Sequence, residues 1–385
     1  MRIAYVCTDP GIPVFGTKGA SIHVQEILRA FLRGGADVTL ISPRLRDTAP
    51  EDLTAVICRH LPEPPKDAGA EARADWALAT NDHVAATLAE EGPFDLIYER
   101  HALFAHGAME TAASQGVASV LELNAPLIDE QERHRALARR DAAVDSARRA
   151  FAAAGHVAAV SHGAATYAHD HGAAQGRVQI VPNGVNPARF PKVDPAGGPF
   201  TVGFLGSLKP WHDTATLIEA FALLRAGPVP DARLLIVGDG PERARIDARL
   251  DTLGFGDVAH MTGAVPASDV AQWLGRMHVA VAPYRSDQPF YFSPLKIYEY
   301  MAAGLPVVAS HIGDLPQILK GGALGRLVEP DDPASLAAEL AQLARDPALC
   351  VRLGTAARSH VLAHRTWDAV ADRLLRAARP AGSVA

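Results

Sequence analysis

The chain has 385 residues, of which 48% are hydrophobic and 21% are charged, and its formal net charge at pH 7 is −6. These values are typical of a soluble globular protein with two domains of ordinary size. The negative charge argues against a nucleic-acid partner, and the sequence contains no apolar run long enough for a transmembrane segment.

The cysteines indicate a reducing compartment. Cys7, Cys58 and Cys350 are widely separated and odd in number, so neither a disulfide framework nor a metal-ligand spacing is expected. Met1 and Arg2 lead directly into a strand-like run without the apolar core of a signal peptide. We therefore expect a cytoplasmic protein.

Short strands alternate with helices in the first third of the chain. Strands are predicted over 2–7, 37–41, 94–98 and 118–122, with a helix over 20–34. This alternation is typical of a parallel sheet in an α/β fold. Ligands of such sheets bind beyond the carboxyl ends of the strands, so the loops there are the first places to examine.

Two kinds of candidate residue follow these strands. Gly19 ends a glycine-containing loop before a helix, where its backbone could approach a phosphate or sugar closely, although such loops are as often plain surface loops. His101 and Asn124 follow the two later strands and are polar groups at strand ends. A lone histidine is nevertheless structural more often than catalytic.

A charged segment over 126–151 is predicted to form one long helix. Its acidic residues nearly balance its arginines, which favours a solvated or acceptor-side helix over a membrane-docking one. Peripheral contact with a membrane stays open, as does the oligomeric state. Beyond this segment, Ser161 is predicted to cap the next helix.

The composition changes near residue 190. Pro191, Pro195, Gly197, Gly198 and Pro199 form a linker-like stretch, after which the alternation of strands and helices begins again. Two α/β domains that face each other across a cleft are the expected architecture. A helical tail is predicted over 333–378, with Asp332 as its N-cap.

The stretch 287–310 is the most informative part of the second half. A helix is predicted over 295–303, ended by Gly304 and Pro306 and followed by a buried strand over 307–309. The free N–H groups and the dipole of a helix N-terminus attract anions, and Glu299 lies one turn inside. The same pattern also fits an ordinary loop, helix and strand.

Four short segments occur together in the order that one enzyme family shows. They are 181–185 (VPNGV), 203–206 (GFLG), 237–241 (VGDGP) and 293–304 (SPLKIYEYMAAG). With them the chain resembles, over nearly its whole length, the family 4 glycosyltransferases of the GT-B fold. The resemblance implies two Rossmann-like domains, an acceptor domain over 1–190 and a nucleotide-sugar donor domain over 191–366. It also implies that a last helix, about 367–385, packs back on the first domain.

The resemblance also implies roles for particular residues. Glu299 matches the final acid of the family's E-x7-E pattern, which binds the donor ribose, as a carboxylate can accept from both ribose hydroxyls. Gly19 would approach the donor diphosphate from the first domain. The amides of the stretch before the helix would cradle the diphosphate, and the residues of that stretch are Phe292, Ser293, Pro294 (which has no amide N–H) and Leu295.

Several positions depart from the family's pattern. The first acid of E-x7-E falls on Tyr291, so Tyr291 or the nearby Asp287 is expected to contact the donor sugar. Two family positions that are often basic are Ser207 and His212, and Lys209 lies between them. All three are candidates for binding the diphosphate, and Lys209 is the candidate for neutralising it as it leaves.

Asn124 occupies the position of the family's histidine after a central strand of the first domain, and His101 could take over that histidine's hydrogen bond to the sugar. These two residues and Lys209 are the catalytic candidates.

The implied reaction moves a sugar from a nucleoside-diphosphate sugar to an acceptor hydroxyl, with retention of anomeric configuration. No cofactor or metal is expected, because Lys209 and the helix amides would stabilise the leaving group. Two alternatives stay open. One is a nucleotide-sugar epimerase or sugar phosphorylase of the same architecture, and the other is a non-catalytic subunit that binds a nucleotide sugar.

Overall fold

The computed structural model describes residues 1–45, 48–193 and 197–378, and the side chain of His134 lies outside that description. The chain divides into two compact units. The first contains residues 1–183, 291–293 and 367–378, and the second contains 184–290 and 294–366. The first unit thus ends seven residues before the boundary predicted at 190. Pro195 of the predicted linker and the end of the predicted last helix, 379–385, lie outside the described residues.

Within the described residues, the first unit is built on a seven-stranded parallel sheet in the order β3-β2-β1-β4-β5-β6-β7. Its strands are β1 (Arg2–Cys7), β2 (Asp37–Ser42), β3 (Ile57–His60), β4 (Leu96–Arg100), β5 (Ala118–Leu123), β6 (His156–Ala159) and β7 (Val178–Ile180). The helices between them are α1 (Gly19–Arg33), α2 (Ala70–Glu91), α3 (Gly107–Gln115), α4 (Leu127–His134), α5 (Arg140–Ala153) and α6 (His162–Asp170).

The second unit repeats this plan around a six-stranded parallel sheet, again counted within the described part of the chain, in the order β10-β9-β8-β11-β12-β13. Its strands are β8 (Thr201–Leu205), β9 (Arg233–Val237), β10 (Ala259–Met261), β11 (Val279–Ala282), β12 (Val307–Ser310) and β13 (Arg326–Val328). Its helices are α7 (Thr214–Ala226), α8 (Arg243–Thr252), α9 (Val270–Leu274), α10 (Leu295–Ala303), α11 (Leu315–Ile318), α12 (Pro333–Arg345) and α13 (Pro347–His364).

The α/β fold class is confirmed by these two parallel sheets with flanking helices. The central strands are buried on both faces, because helices cover both sides of a parallel sheet. The predicted caps are also present. The Ser161 hydroxyl accepts a hydrogen bond from the N–H of Ala164, and the Asp332 carboxylate accepts from the N–H groups of Ala334 and Ser335.

The prediction of one helix over 126–151 is wrong. The segment forms α4 and α5, separated by residues 135–139, and Arg139 adopts a left-handed φ of +54° that an α-helix cannot contain. The Arg139 guanidinium is ion-paired with Glu71 and Asp75 at the start of α2. These pairings to another helix are tertiary contacts, which the charge pattern of the segment itself does not reveal.

The last helix, α14 (Trp367–Ala378), packs against α1 in the first unit. The Trp367 ring meets the His23 ring edge-on at 4.8 Å between centroids, and Asp368 forms an ion pair with Arg33. None of the described helices combines the length and the apolar composition that a membrane crossing requires.

Helix α10 has the bounds that the sequence predicts. Gly304 ends it with a left-handed φ of +80°, and its N–H donates to the carbonyl group of Met301. Helix α13 crosses close to this end of α10. The distance shows this, since a β-carbon on Gly354 would lie 2.0 Å from the Gly304 carbonyl oxygen. The close approach of two backbones therefore requires glycine at position 354.

This approach makes Gly354→Ala a test of the packing between α10 and α13. The added methyl group would meet backbone atoms rather than a flexible side chain, so the two helices must move apart. We expect a loss of about 1–3 kcal/mol in the free energy of unfolding, measured by urea or thermal unfolding. Gly256→Ala is the control, because no atom lies within 4 Å of its added carbon. Equal stability of both variants would contradict the packing.

Candidate functional site

The strand order of the second sheet reverses between β8 and β11. The chain proceeds outward from β8 to β9 and β10, and then returns to the other side of β8 with β11, β12 and β13. The loops that follow β8 and β11 therefore leave the same edge of the sheet in opposite directions, which opens a crevice where α/β sheets bind ligands. The loop after β8 carries Ser207, Lys209 and His212, and the loop after β11 leads into α10.

The predicted residues after β8 lie in one tight turn. The carbonyl group of Ser207 accepts hydrogen bonds from the Lys209 N–H and from Nδ1 of His212. Ser207 is exposed, and Nζ of Lys209 lies 5.9 Å from the centroid of the Trp211 ring. The structure thus brings these three predicted diphosphate-binding residues together.

His212 is an uncharged imidazole in this turn. Burial, together with the charge of the nearby Lys296, lowers the pKa of His212 to about 3. Nδ1 must carry the ring proton because a carbonyl oxygen can only accept, which leaves Nε2 as an acceptor. His212 can therefore donate to a phosphate oxygen only after it gains a second proton.

The N-terminus of α10 begins at Leu295 and has Pro294 as its N-cap. The ψ of Pro294 is 75°, which is not helical, so the helix begins at Leu295 as the sequence predicts. No side chain among the described residues caps this N-terminus, so its first N–H groups are available to an anion.

Phe292 and Ser293 belong to the first unit, where the Ser293 hydroxyl accepts from the Asn183 N–H at 3.2 Å. The predicted cradle over 292–295 is thus divided between the two units.

Glu299 lies one turn inside α10, as the sequence predicts. Burial raises the pKa of its carboxyl group, while Arg189 and Lys296 act in the opposite direction. The structure gives Glu299 no hydrogen bond or ion pair within the described residues. Its carboxylate is therefore available to accept from a ligand's hydroxyl groups.

The two predicted donor-sugar residues already have partners. The Asp287 carboxylate accepts two hydrogen bonds from the Arg285 guanidinium, at 2.9 and 2.7 Å, and this pairing lowers the pKa of Asp287. The Tyr291 hydroxyl donates to the Glu130 carboxylate at 2.7 Å. Either residue would have to exchange its partner in order to bind a sugar.

The first sheet has its own reversal of strand order, between β1 and β4. Gly19 begins α1 after the β1 loop, and no described atom lies within 4 Å of the place where its β-carbon would be. His101 follows β4, and its N–H donates to the carbonyl group of Glu122 on the adjacent β5, two residues before Asn124. Three of the predicted residues thus follow strands at or beside this reversal.

His101 and Asn124 both keep buried polar atoms without a partner among the described residues, namely Nδ1 of His101 and Nδ2 of Asn124. Burial lowers the pKa of His101 to about 4, and its ring lies 5.1 Å from the Phe151 ring. The imidazole is therefore neutral near pH 7. Buried polar atoms of this kind usually have a partner, which favours a ligand at this point.

A buried ionic group that the sequence did not predict lies beside these residues. The Glu122 carboxylate contacts Nε2 of His23 at 2.5 Å and lies 3.7 Å from the Arg100 guanidinium. Burial raises the pKa of Glu122, but His23 and Arg100 more than offset this, so its pKa is below the usual range. The signal in the sequence was a carboxylate and an arginine at the ends of apolar strands.

Lys296 and Tyr300 on α10 were also missed as site residues. Both stand within the SPLKIYEYMAAG segment, but their burial depends on contacts that the sequence does not show. Among the described residues, no group of three or more His, Cys, Asp or Glu side chains could hold a metal ion.

Two family models match successive parts of the chain. The model described as Glycosyltransferase Family 4 matches residues 17–189, and the model described as Glycosyl transferases group 1 matches residues 199–346. The first match lies almost entirely in the first unit and the second lies in the second unit.

Individual proteins agree with the family models. The chain is 28% identical to D-inositol 3-phosphate glycosyltransferase 1 from Catenulispora acidiphila, over 94% of this chain and 91% of that protein. It is 34% identical to the phosphatidyl-myo-inositol mannosyltransferase of Mycolicibacterium smegmatis over 51% of this chain and 50% of that protein.

Among solved structures, sucrose-phosphate synthase from Thermosynechococcus elongatus superimposes with a TM-score of 0.73 at 22% identity, over 97% of both chains. Anabaena HepE in complex with UDP gives a TM-score of 0.71 at 18% identity, over 98% of this chain and 99% of that one. At these identities the structural likeness shows a shared fold, whereas the two family models show the family. The chain belongs to the family 4 glycosyltransferases of the GT-B fold and is a glycosyltransferase.

Proposed function

We propose that the protein transfers a sugar from a nucleoside-diphosphate sugar to a hydroxyl group of an acceptor, with retention of anomeric configuration. The observation that carries this proposal is the site where the strand order of the second sheet reverses. There, the uncapped N-terminus of α10 and the turn that holds Lys209 follow two adjacent central strands. Glu299 lies one turn inside the same helix, and its carboxylate has no hydrogen bond or ion pair within the described residues. HepE, a structural neighbour, has been crystallised with UDP and with UDP-glucose, which supports a nucleotide-sugar donor.

The donor would lie with its diphosphate at the start of α10. The N–H groups of the first turn and the Lys209 ammonium would stabilise the negative charge that develops on the leaving diphosphate. Glu299 would accept hydrogen bonds from the ribose hydroxyls, which orients the nucleotide with respect to the helix. These groups act by electrostatics and positioning, so we propose that transfer needs no metal cofactor.

Retention would follow from attack on the face that the diphosphate leaves. The acceptor oxygen forms the new bond to the anomeric carbon as the bond to the diphosphate oxygen breaks. The leaving diphosphate takes the proton of the acceptor hydroxyl. His101 and Asn124 are the proposed hydrogen-bond partners of a sugar hydroxyl in the first unit, because Nδ1 of His101 and Nδ2 of Asn124 have no partner among the described residues.

The acceptor is proposed by chemistry rather than by name. Two relatives are named for transfer to an inositol phosphate or a phosphatidyl-inositol. We therefore propose a polyhydroxylated acceptor and place inositol phosphates first among the compounds to be tried.

The donor proposal is tested by measuring the melting temperature with UDP-, GDP- and TDP-sugars, since a ligand of the native state raises it. We expect one nucleotide class to stabilise the protein and to support transfer in the presence of EDTA.

NMR of the product should show the anomeric configuration of the donor. A product with the opposite configuration would contradict retention, and loss of transfer in EDTA would contradict independence of metal. Conversion of the sugar nucleotide without any acceptor would instead indicate an epimerase.

Lys209→Ala tests whether the Lys209 ammonium neutralises the charge on the leaving diphosphate. Loss of one such charged contact is expected to reduce kcat by about 100-fold, with an unchanged melting temperature. The matched control is Lys320→Ala, because Lys320 is an exposed lysine of the same unit. Near-normal transfer by Lys209→Ala would remove Lys209 from the mechanism.

Glu299→Gln tests the ribose contact. The amide keeps the shape of the side chain but is a weaker acceptor, so nucleotide affinity should fall about tenfold or more in titration calorimetry. Glu329→Gln is the control, since Glu329 is a carboxylate of the same unit outside the site. Equal affinity of Glu299→Gln and the wild type would argue against the ribose role.

A further inference from the structure

Lys296 is a buried lysine whose amine has no hydrogen-bond partner in the part of the chain that the structure describes. It is the second residue of α10, its exposure is 8%, and Nζ meets no acceptor among the described residues. Nζ lies 4.2 Å from the centroid of the Phe204 ring and 5.6 Å from that of Tyr284. Phe204 belongs to β8 and Tyr284 follows β11, so the amine lies between the ends of the two strands where the strand order reverses.

The amine also lies against the turn that carries the proposed diphosphate-binding residues. A β-carbon on Gly206 would lie 2.9 Å from Nζ, and Gly206 has a φ of +145° that favours glycine. The next residue is Ser207, whose carbonyl group holds His212 in place. Any side chain at position 206 would therefore collide with the amine beneath this turn.

Among the described residues, the groups that face Lys296 do not supply a permanent counter-charge at contact distance. Glu299 on the same helix is the acid whose charge acts on it, without an ion pair among the described residues. From the turn after β8 come His212, which is neutral, and Lys209, which has the same sign of charge. From the segment after β11 comes the ring of Tyr284, and burial holds the pKa of its hydroxyl above the usual range.

This environment disfavours the ammonium form in the free protein. Burial lowers the pKa of Lys296 to about 7, against the opposing effect of Glu299. Aromatic rings compensate only part of the lost hydration of an ammonium group. Just above neutral pH the amine is therefore mostly uncharged until an anion comes close.

We propose that Lys296 takes up a proton when the donor diphosphate binds at the start of α10, so that the site gains a neutralising charge only while it is occupied. The Nζ lone pair accepts a proton from solvent, and no other bond forms or breaks. The inference rests on the proposed nucleotide-sugar donor. Lys296 would then neutralise the charge of the diphosphate, which Ser207 and the neutral His212 do not do in this chain.

Proton uptake on binding tests the proposal and is not expected from a merely structural lysine. Titration calorimetry with UDP and with GDP at about pH 8, in two buffers of different ionisation enthalpy, gives the number of protons taken up. At that pH the terminal phosphate is fully ionised, since such groups titrate near pH 6. The wild type should take up close to one proton per nucleotide bound, which a rise in the pKa of Lys296 on binding requires.

Lys296→Met should abolish this proton uptake and lower the affinity for UDP or GDP by about ten- to hundredfold. The affinity for uridine or guanosine should be unchanged. The exposed Lys320→Met should behave as the wild type. Lys296→Met should also melt at or above the wild-type temperature, because methionine fills the same apolar space without a polar group to bury. This melting temperature shows that a loss of binding is not a loss of folding.

Two results would overturn the proposal, and a third separates it from the proposed function. Uptake that persists in Lys296→Met would assign the proton to another group. If this uptake is lost in His212→Asn, that group is His212. Wild-type binding of either nucleotide without uptake would also refute the proposal while leaving the donor intact. Failure of both nucleotides to bind the wild type would refute the proposed donor and this inference with it.

Discussion

A single tyrosine fixes the helix on which the proposed site depends. The Tyr300 hydroxyl accepts the N–H of Leu205 at 2.7 Å and lies 3.4 Å from the carbonyl oxygens of Leu205 and Val281. These backbone groups belong to β8 and β11, so one buried side chain ties α10 to both strands where the strand order reverses. Because Tyr300, Glu299 and Lys296 stand on the same short helix, this contact sets the positions of the other two. The close approach of Gly354 to Gly304 holds the opposite end of α10.

The site of the second unit contains little permanent charge of its own. His212 is neutral, the Lys296 amine is buried among aromatic rings, and the N–H groups of α10 provide only the partial charge of a helix terminus. Lys209, on the turn, is a partly accessible cation there. A binding site that gains positive charge as an anion enters can hold a diphosphate firmly. The same site carries less positive charge once the anion has left. In this proposal, Lys296 supplies the charge that the family's basic residues often provide at positions 207 and 212, so these departures do not imply a loss of function.

Local sequence patterns predicted much of the fold and part of the site. The helix over 295–303, its glycine stop and the caps at Ser161 and Asp332 depend on neighbouring residues, so they could be read directly. The strand β3 and the long helix α2 were missed, because β3 has few apolar residues and α2 buries few of its own. Lys296 was missed as well, since its burial depends on rings that the fold brings from distant parts of the chain.

A crystal structure with the nucleoside diphosphate that most stabilises the protein tests the central claim most directly. We expect diphosphate density at the N-terminus of α10, beside the turn that contains Lys209, and the ribose within hydrogen-bond distance of Glu299. A nucleotide bound away from α10, or one whose ribose does not reach Glu299, would contradict it.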